Sequence, residues 1–270
     1  MMKSAFQILI YIFAAVGFVL IAGYLAVRLG VTNTSGIVDT QRESFLAGGE
    51  AAVARPAWAN TEEWSVLEAA IRKDVPAVEK AAQDATVPAR LIVANLVTEQ
   101  LRLYVSDRED YKQFFYPLKI LGAQTQFSWG IMGMKEATAI EVEAHLHDSA
   151  SPFYLGASYE HLLDFPASTT DVKQARFTRM TDQHDHYWSY LYAALYIKEV
   201  EAQWRQAGFP IDDKPAIIST LFNIGFAHST PNADPQIGGA QIDVSGTTYS
   251  FGGLAGEFYD SDLLTDVFPQ

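Results

Sequence analysis

Residues 8–27 read ILIYIFAAVGFVLIAGYLAV, twenty residues without a charge, preceded by Lys3 and followed by Arg28. A helix apolar on every side needs cover on every side, and about twenty such residues is the length that crosses the hydrocarbon core of a bilayer. The run therefore predicts one N-terminal transmembrane anchor over residues 1–29. A cleaved secretory signal and a buried core helix are the alternatives. The first usually has a shorter apolar region ending in small residues, and the second is rarely apolar all round. Lys3 with the amino terminus stands against Arg28 and Arg42, so the flanking charges alone give no orientation.

The rest of the chain is of another kind. Residues 30–60 are rich in Gly, Ser, Thr and Ala and predict a flexible tether, leaving residues 61–270 as the folded domain. With 270 residues, 49% hydrophobic and 13% aromatic, there is enough apolar matter for a real core. The 32 acidic and 19 basic residues give a net charge of -13 and no basic stripe, which argues against nucleic acid and against adhesion to an anionic membrane surface. There is no cysteine, hence no disulfide framework and no thiolate zinc site.

Helical patterns dominate residues 61–270. Asn60 with Glu63 resembles a capping box for a helix to about Lys73; Asp74 with Pro76 suggests a second, and Thr86 with Pro88 a third reaching about Val105. Further helices are expected near 107–121, 135–147, 158–165, 171–207 and from Pro215 onward. QIDVSGTTYSF (241–251), with Ser245-Gly246 between two alternating runs, predicts a small β-hairpin followed by a short helix. The fold class is mainly α, or α+β with helices predominating: many short helices with a small β-hairpin near the C-terminus.

On the 88–105 helix, Ile92, Val93, Leu96, Val97, Leu101, Leu103 and Tyr104 form one broad apolar arc, with Asn95, Thr98 and Arg102 opposite. Glu99 lies at the seam between them. A partly desolvated carboxyl there suits a general acid; it also suits an ordinary boundary glutamate paired with Arg102. Two histidine pairs, His145 with His147 and His184 with His186, offer a rival metal site, although residues two apart on a helix point in different directions. No metal and no cofactor is expected. The chain has no G-x-S-x-G elbow and no phosphate-binding glycine loop.

FSWGIMGMKEATA (127–139) is a poor helix and a poor strand, yet a helical pattern starts directly after it. Taken in order, VTEQLR (97–102), this glycine-methionine stretch, TLFNIGF (220–226) and a tyrosine-bearing C-terminal segment resemble the goose-type lysozyme and soluble lytic transglycosylase superfamily over about residues 86–260. The resemblance implies a lysozyme-like catalytic domain with Glu99 as its single acid/base. It implies substrate contacts from Gln100, Ser128, Gly130, Met132, Phe222, Asn223, Tyr249 and Tyr259. Three positions depart from the family pattern: Gln100 stands for a serine, Gly133 for a glutamine and Phe222 for a tyrosine. An insertion near 106–124 must also be assumed, and Asp107 and Glu109 are the neighbouring acids available for a hydrolytic variant.

The activity that the resemblance implies is cleavage of peptidoglycan glycan strands at the β-1,4 bond between N-acetylmuramic acid and N-acetylglucosamine. Such a domain faces the wall, in the periplasm or extracytoplasmic space, on a single-pass anchor in the cytoplasmic membrane. Protein partners in an envelope complex are compatible with it. A non-catalytic murein-binding or scaffold domain on the same fold, and a lysozyme-type hydrolase, are the alternatives. The aromatics Phe127, Trp129, Tyr187, Trp188 and Tyr190 are expected mostly in the core.

Overall fold

A computed structural model describes residues 55–105, 128–244 and 246–270. The apolar run 8–27, most of the tether, the 107–121 helix, Asp107, Glu109 and Phe127 lie outside them. Among the described residues, no helix is long and apolar enough to cross a membrane.

The 3-10 turn Ala57–Asn60, within the stretch expected as tether, buries Trp58 edge-on against Trp64 with ring centroids 5.2 Å apart. Thr61 then caps α1 (Glu62–Ala85), its hydroxyl accepting from the Trp64 amide at 3.2 Å. The sequence predicts two helices here, parted at Asp74; the structure has one, with Pro76 inside. The reason is a buried stripe that runs unbroken past the proline: Trp64, Leu67, Ile71, Val78, Ala81 and Ala85. Burying it outweighs the hydrogen bond that Pro76 cannot donate. Thr86, expected as a helix start, is instead the left-handed end of α1 at φ 55°, and the Val87 amide reaches back to the Ala82 carbonyl at 3.0 Å.

The second helix, α2 (Ala89–Val105), is buried at every residue from 90 to 99. Asn95 and Thr98, expected on a polar face, are in the core and bond the Leu91 and Ala94 carbonyls, each at 2.9 Å. No polar face forms, because α2 is packed by α1, by the helices Tyr187–Gln206, Pro215–Ile224 and Phe251–Asp260, and by the strand Gln241–Val244. Buried Arg90 donates to the carbonyls of Phe258, Tyr259, Ser261, Leu263 and Phe268, drawing the C-terminal segment around the start of α2.

After a hairpin of β1 (Ser128–Trp129) and β2 (Met134–Lys135) come α3 (Glu136–His147), α4 (Val172–Thr181) and α5 (Tyr187–Gln206). Residues 158–165 form successive turns, not the expected helix: the Tyr159 amide bonds the Gly156 carbonyl and the Leu162 amide the Tyr159 carbonyl. The single long helix predicted over 171–207 is also broken. At 182–186 the Asp182 carboxylate accepts from the amides of His184 and Asp185, and Asp185 accepts from Tyr187, so local side-chain acceptors outcompete the helical ladder.

The closing elements are α6 (Pro215–Ile224), β3 (Gln241–Val244), β4 (Thr247–Ser250) and α7 (Phe251–Asp260). Strands β3 and β4 pair antiparallel as the sequence predicts, with Gln241 opposite Ser250 and Val244 opposite Thr247. Ser250 caps α7 through the Gly253 amide. The described fold is mainly helical, with two short antiparallel hairpins.

Candidate active site

Within the odd stretch 127–139, residues 128–135 form a β-hairpin and Glu136 begins α3. Ser128 pairs with Lys135 and Trp129 with Met134, and the Gly133 amide donates to the Gly130 carbonyl at 3.2 Å across a four-residue turn. Both glycines are left-handed, Gly130 at φ +64° and Gly133 at φ +60°, a region that costs other residues free energy. Each also faces a neighbour with no room for a side chain. A Cβ on Gly130 would lie 2.0 Å from the Met180 carbonyl oxygen of α4, and one on Gly133 would lie 1.9 Å from Glu99 Oε1 and 2.4 Å from its carboxyl carbon.

Glu99 is only 3% exposed. Its carboxylate accepts from Arg102 Nε at 3.0 Å and from the same guanidinium's terminal nitrogen at 2.5 Å, a two-pronged pair one turn apart on α2. Gln100, beside it, donates through Nε2 to the Ile131 carbonyl at 2.5 Å. The last turns of α2 thus hold the glycine turn in two places: Gln100 bonds its backbone and the Glu99 carboxyl fills the space that Gly133 leaves. Met132 is buried, packed into the core, and Trp129 meets Phe177 of α4 edge-on at 5.1 Å.

Of the predicted site residues, the structure gathers Glu99, Gln100, Gly130 and Met132, with the Ser128 backbone at the base of the same hairpin. The others are engaged elsewhere. Phe222 packs on Tyr196 and Phe251, and Asn223 Oδ1 accepts from the Ala240 amide at 2.8 Å. Tyr249 stands on β4 opposite Ile242, where burial raises its phenol above the ordinary value and Glu257 adds to the effect. Tyr259 lies at the end of α7 with its backbone carbonyl bound to Arg90. Gly133, a mismatch to the family pattern, lies directly against the Glu99 carboxyl. The signal for it lies in Gly-x-x-Gly at turn spacing, and the signal for Arg102 in its place three residues after Glu99.

Among the described residues no group of three histidines or carboxylates is placed to hold an ion. His147 and His161 bond opposite oxygens of Asp164, at 3.2 and 2.8 Å, while His186 bonds Asp74 at 2.6 Å. His145 is stacked on Phe153 and bonds fully buried Glu199 at 2.9 Å. Burial pushes the Glu199 carboxyl well up, with Glu141 adding to it, and pushes the His145 imidazole down. Both directions favour a neutral pair in which Glu199 keeps its proton and donates it to Nδ1. Nothing in the sequence pattern points to Glu199.

Of the aromatics expected mostly in the core, two of the four described are there. Tyr190 and Trp129 are buried, while Tyr187 and Trp188 are half-buried under cations, with Lys80 over the Tyr187 ring at 3.6 Å and Arg179 over the Trp188 ring at 4.0 Å. Compared with known proteins, the chain matches no family model, no curated protein and no solved structure.

Proposed function

We propose that the domain is a lysozyme-like lytic transglycosylase that cleaves peptidoglycan glycan strands, with Glu99 as its one acid and base. The observation that carries this reading is the contact between the Glu99 carboxyl and Gly133. Two motifs more than thirty residues apart, which the resemblance assigns to one active site, meet at the carboxyl that the chemistry needs. Gln100 bonding Ile131 adds a second link between them.

The reaction requires only one carboxyl. Protonated Glu99 gives its proton to the bridging oxygen as the bond from C1 of N-acetylmuramic acid breaks, and N-acetylglucosamine leaves with the new hydroxyl. The resulting carboxylate takes the proton of the C6 hydroxyl as that oxygen closes on C1, giving a 1,6-anhydro end. Water in place of the C6 hydroxyl would make the same site a hydrolase. No metal or cofactor enters either path. In this reading residues 8–27 anchor the chain in the cytoplasmic membrane with the domain outside, held to the wall by hydrogen bonds and aromatic stacking, since its charge repels an acidic polymer.

Burial of Glu99 and its pairing with Arg102 favour a second reading, a non-catalytic murein-binding or scaffold domain. Digestion of purified sacculi by the full-length chain and by Glu99→Gln separates the two. Anhydromuramyl products that disappear in the variant support the enzyme, and reducing ends identify a hydrolase. Binding without soluble product from either protein refutes both catalytic readings.

A further inference from the structure

Glu199 is fully buried on α5, and its two carboxyl oxygens are unequally served. Oε2 lies 2.9 Å from His145 Nδ1 of α3, while Oε1 has no hydrogen-bond partner among the described residues, which costs the fold stability. His145 is the outer member of the pair, with 18% of its side chain exposed against 0% for Glu199. Its ring is stacked on Phe153 at 4.5 Å and meets Phe226 edge-on at 4.7 Å, and Phe226 leans on Tyr196 of α5 at 4.1 Å. One imidazole thus joins α5 to the turns that follow α3 and to the 3-10 turn Phe226–His228 that follows α6.

Around the pair stand Glu141 of α3, Asp148 just past its end and the Tyr196 phenol, which donates to the Leu221 carbonyl of α6. Lys198, next on α5, is drawn off to the Thr86 carbonyl and to Glu201, and His228 is exposed. On the turns after α3, Glu160 accepts from the Tyr154 hydroxyl, and His161 and His147 are bonded to Asp164. Among the described residues no lysine or arginine pairs with Glu199.

We propose that His145 and Glu199 form a one-proton lock: sharing a single proton, they fasten the Phe153 and Phe226 turns to α5, and the fastening yields when the pair takes up a second proton or gives up the one it has. A second proton puts an imidazolium in a site that burial makes unfavourable for charge, and loss of the first leaves a buried carboxylate with no cation. Opened to water, each group returns to its ordinary value, about 4.3 for the carboxyl and about 6.5 for the imidazole, so the open pair holds two protons below the first and none above the second. Opening is therefore favoured at both ends of the pH range. It stops short of the far end of the turns, where Arg179 donates to the Leu163 and Asp164 carbonyls at 2.8 Å each. The lock is independent of any reaction at Glu99.

Amide hydrogen exchange of the full-length chain in nonionic detergent tests it, with folding of each variant checked by circular dichroism. Wild type is compared with Glu199→Gln and with His145→Gln at the same pH, so that the intrinsic exchange rate cancels. Over residues 150–157 and 225–229, the ratio of wild-type to Glu199→Gln exchange should climb by up to about tenfold per pH unit above the ordinary carboxyl value. The ratio of wild type to His145→Gln should climb by the same factor per unit as pH falls below the ordinary imidazole value. A ratio that does not change with pH for either variant overturns the lock, and if one variant does not fold the other decides alone. A pH-dependent ratio equally large in α1 and α2 also overturns it, because the pair would then act on global stability and not on these two turns.

Discussion

Replacing Gly133 by alanine adds a single methyl group at the most crowded backbone position near the candidate acid. The cost has two parts. Holding an alanine at φ +60° costs about 1–2 kcal/mol. The larger part is the collision: a Cβ 1.9 Å from Glu99 Oε1, 2.4 Å from its carboxyl carbon and 2.8 Å from Cγ forces the carboxylate out of its site and off Arg102. Removing one partner from a buried ion pair costs about 3–5 kcal/mol, and the lower end applies because Arg102 keeps contact with water. The sum is about 4–5 kcal/mol. Gly208 is the control, at φ +82° with nothing within 4 Å of an added Cβ, so Gly208→Ala should cost the backbone part alone, about 1–2 kcal/mol. Urea denaturation of the full-length chain in nonionic detergent gives both values. Repeating Gly133→Ala in a Glu99→Ala background removes the obstructing atoms and should bring its cost down to that of Gly208→Ala. Equal costs for Gly133→Ala in the two backgrounds would refute the claim that the carboxyl occupies that space.

Arg90→Met should strip the C-terminal segment of five hydrogen bonds to one buried guanidinium, costing more than about 3 kcal/mol. Faster amide exchange after residue 258, ahead of global unfolding, is the measurement. Pro76→Ala should stabilise the chain by about 1–3 kcal/mol, read as a raised Tm, because α1 already runs through that position and gains an amide donor there. Glu199→Gln keeps a donor to His145 Nδ1 and removes a titration. Glu199 holds its proton in the folded chain well above the pH at which the unfolded chain loses it, so wild-type stability falls as pH rises through that interval, by about 1.4 kcal/mol per pH unit. The Tm advantage of Glu199→Gln over wild type should therefore grow as pH rises above the ordinary carboxyl range; a constant advantage would mean that Glu199 is ionised in the fold.

The helices legible in the sequence are those whose ends carry local chemistry or whose apolar stripe keeps its period. Pro215 opens α6, and His147 closes α3 where the pattern ends. Sequence and structure part where tertiary packing or a side-chain acceptor overrides the local signal. Pro76 reads as a break because the stripe that carries the helix past it gains its free energy from α5 and α2, which no local window contains. TDQHDHY reads as helix because its aspartates count as polar surface in a periodicity, whereas in the fold they accept from three amides. Asn95 and Thr98 read as a polar face, but over residues 90–99 this helix has neighbours on every side and no outside. Within the candidate site, Glu99 and Gly130 can be picked out by motif. The partnership of Gly133 with Glu99 cannot, since it rests on a distance between segments more than thirty residues apart.

That distance changes the meaning of the departure at Gly133. Taken alone, a glycine where the resemblance has a glutamine is a lost side chain and counts against activity. In the fold, any residue with a Cβ at 133 is incompatible with the rotamer that Glu99 adopts when Arg102 holds it. Glycine at 133 and arginine at 102 therefore belong to one arrangement: the first leaves the space that the carboxyl fills, and the second is paired with it there.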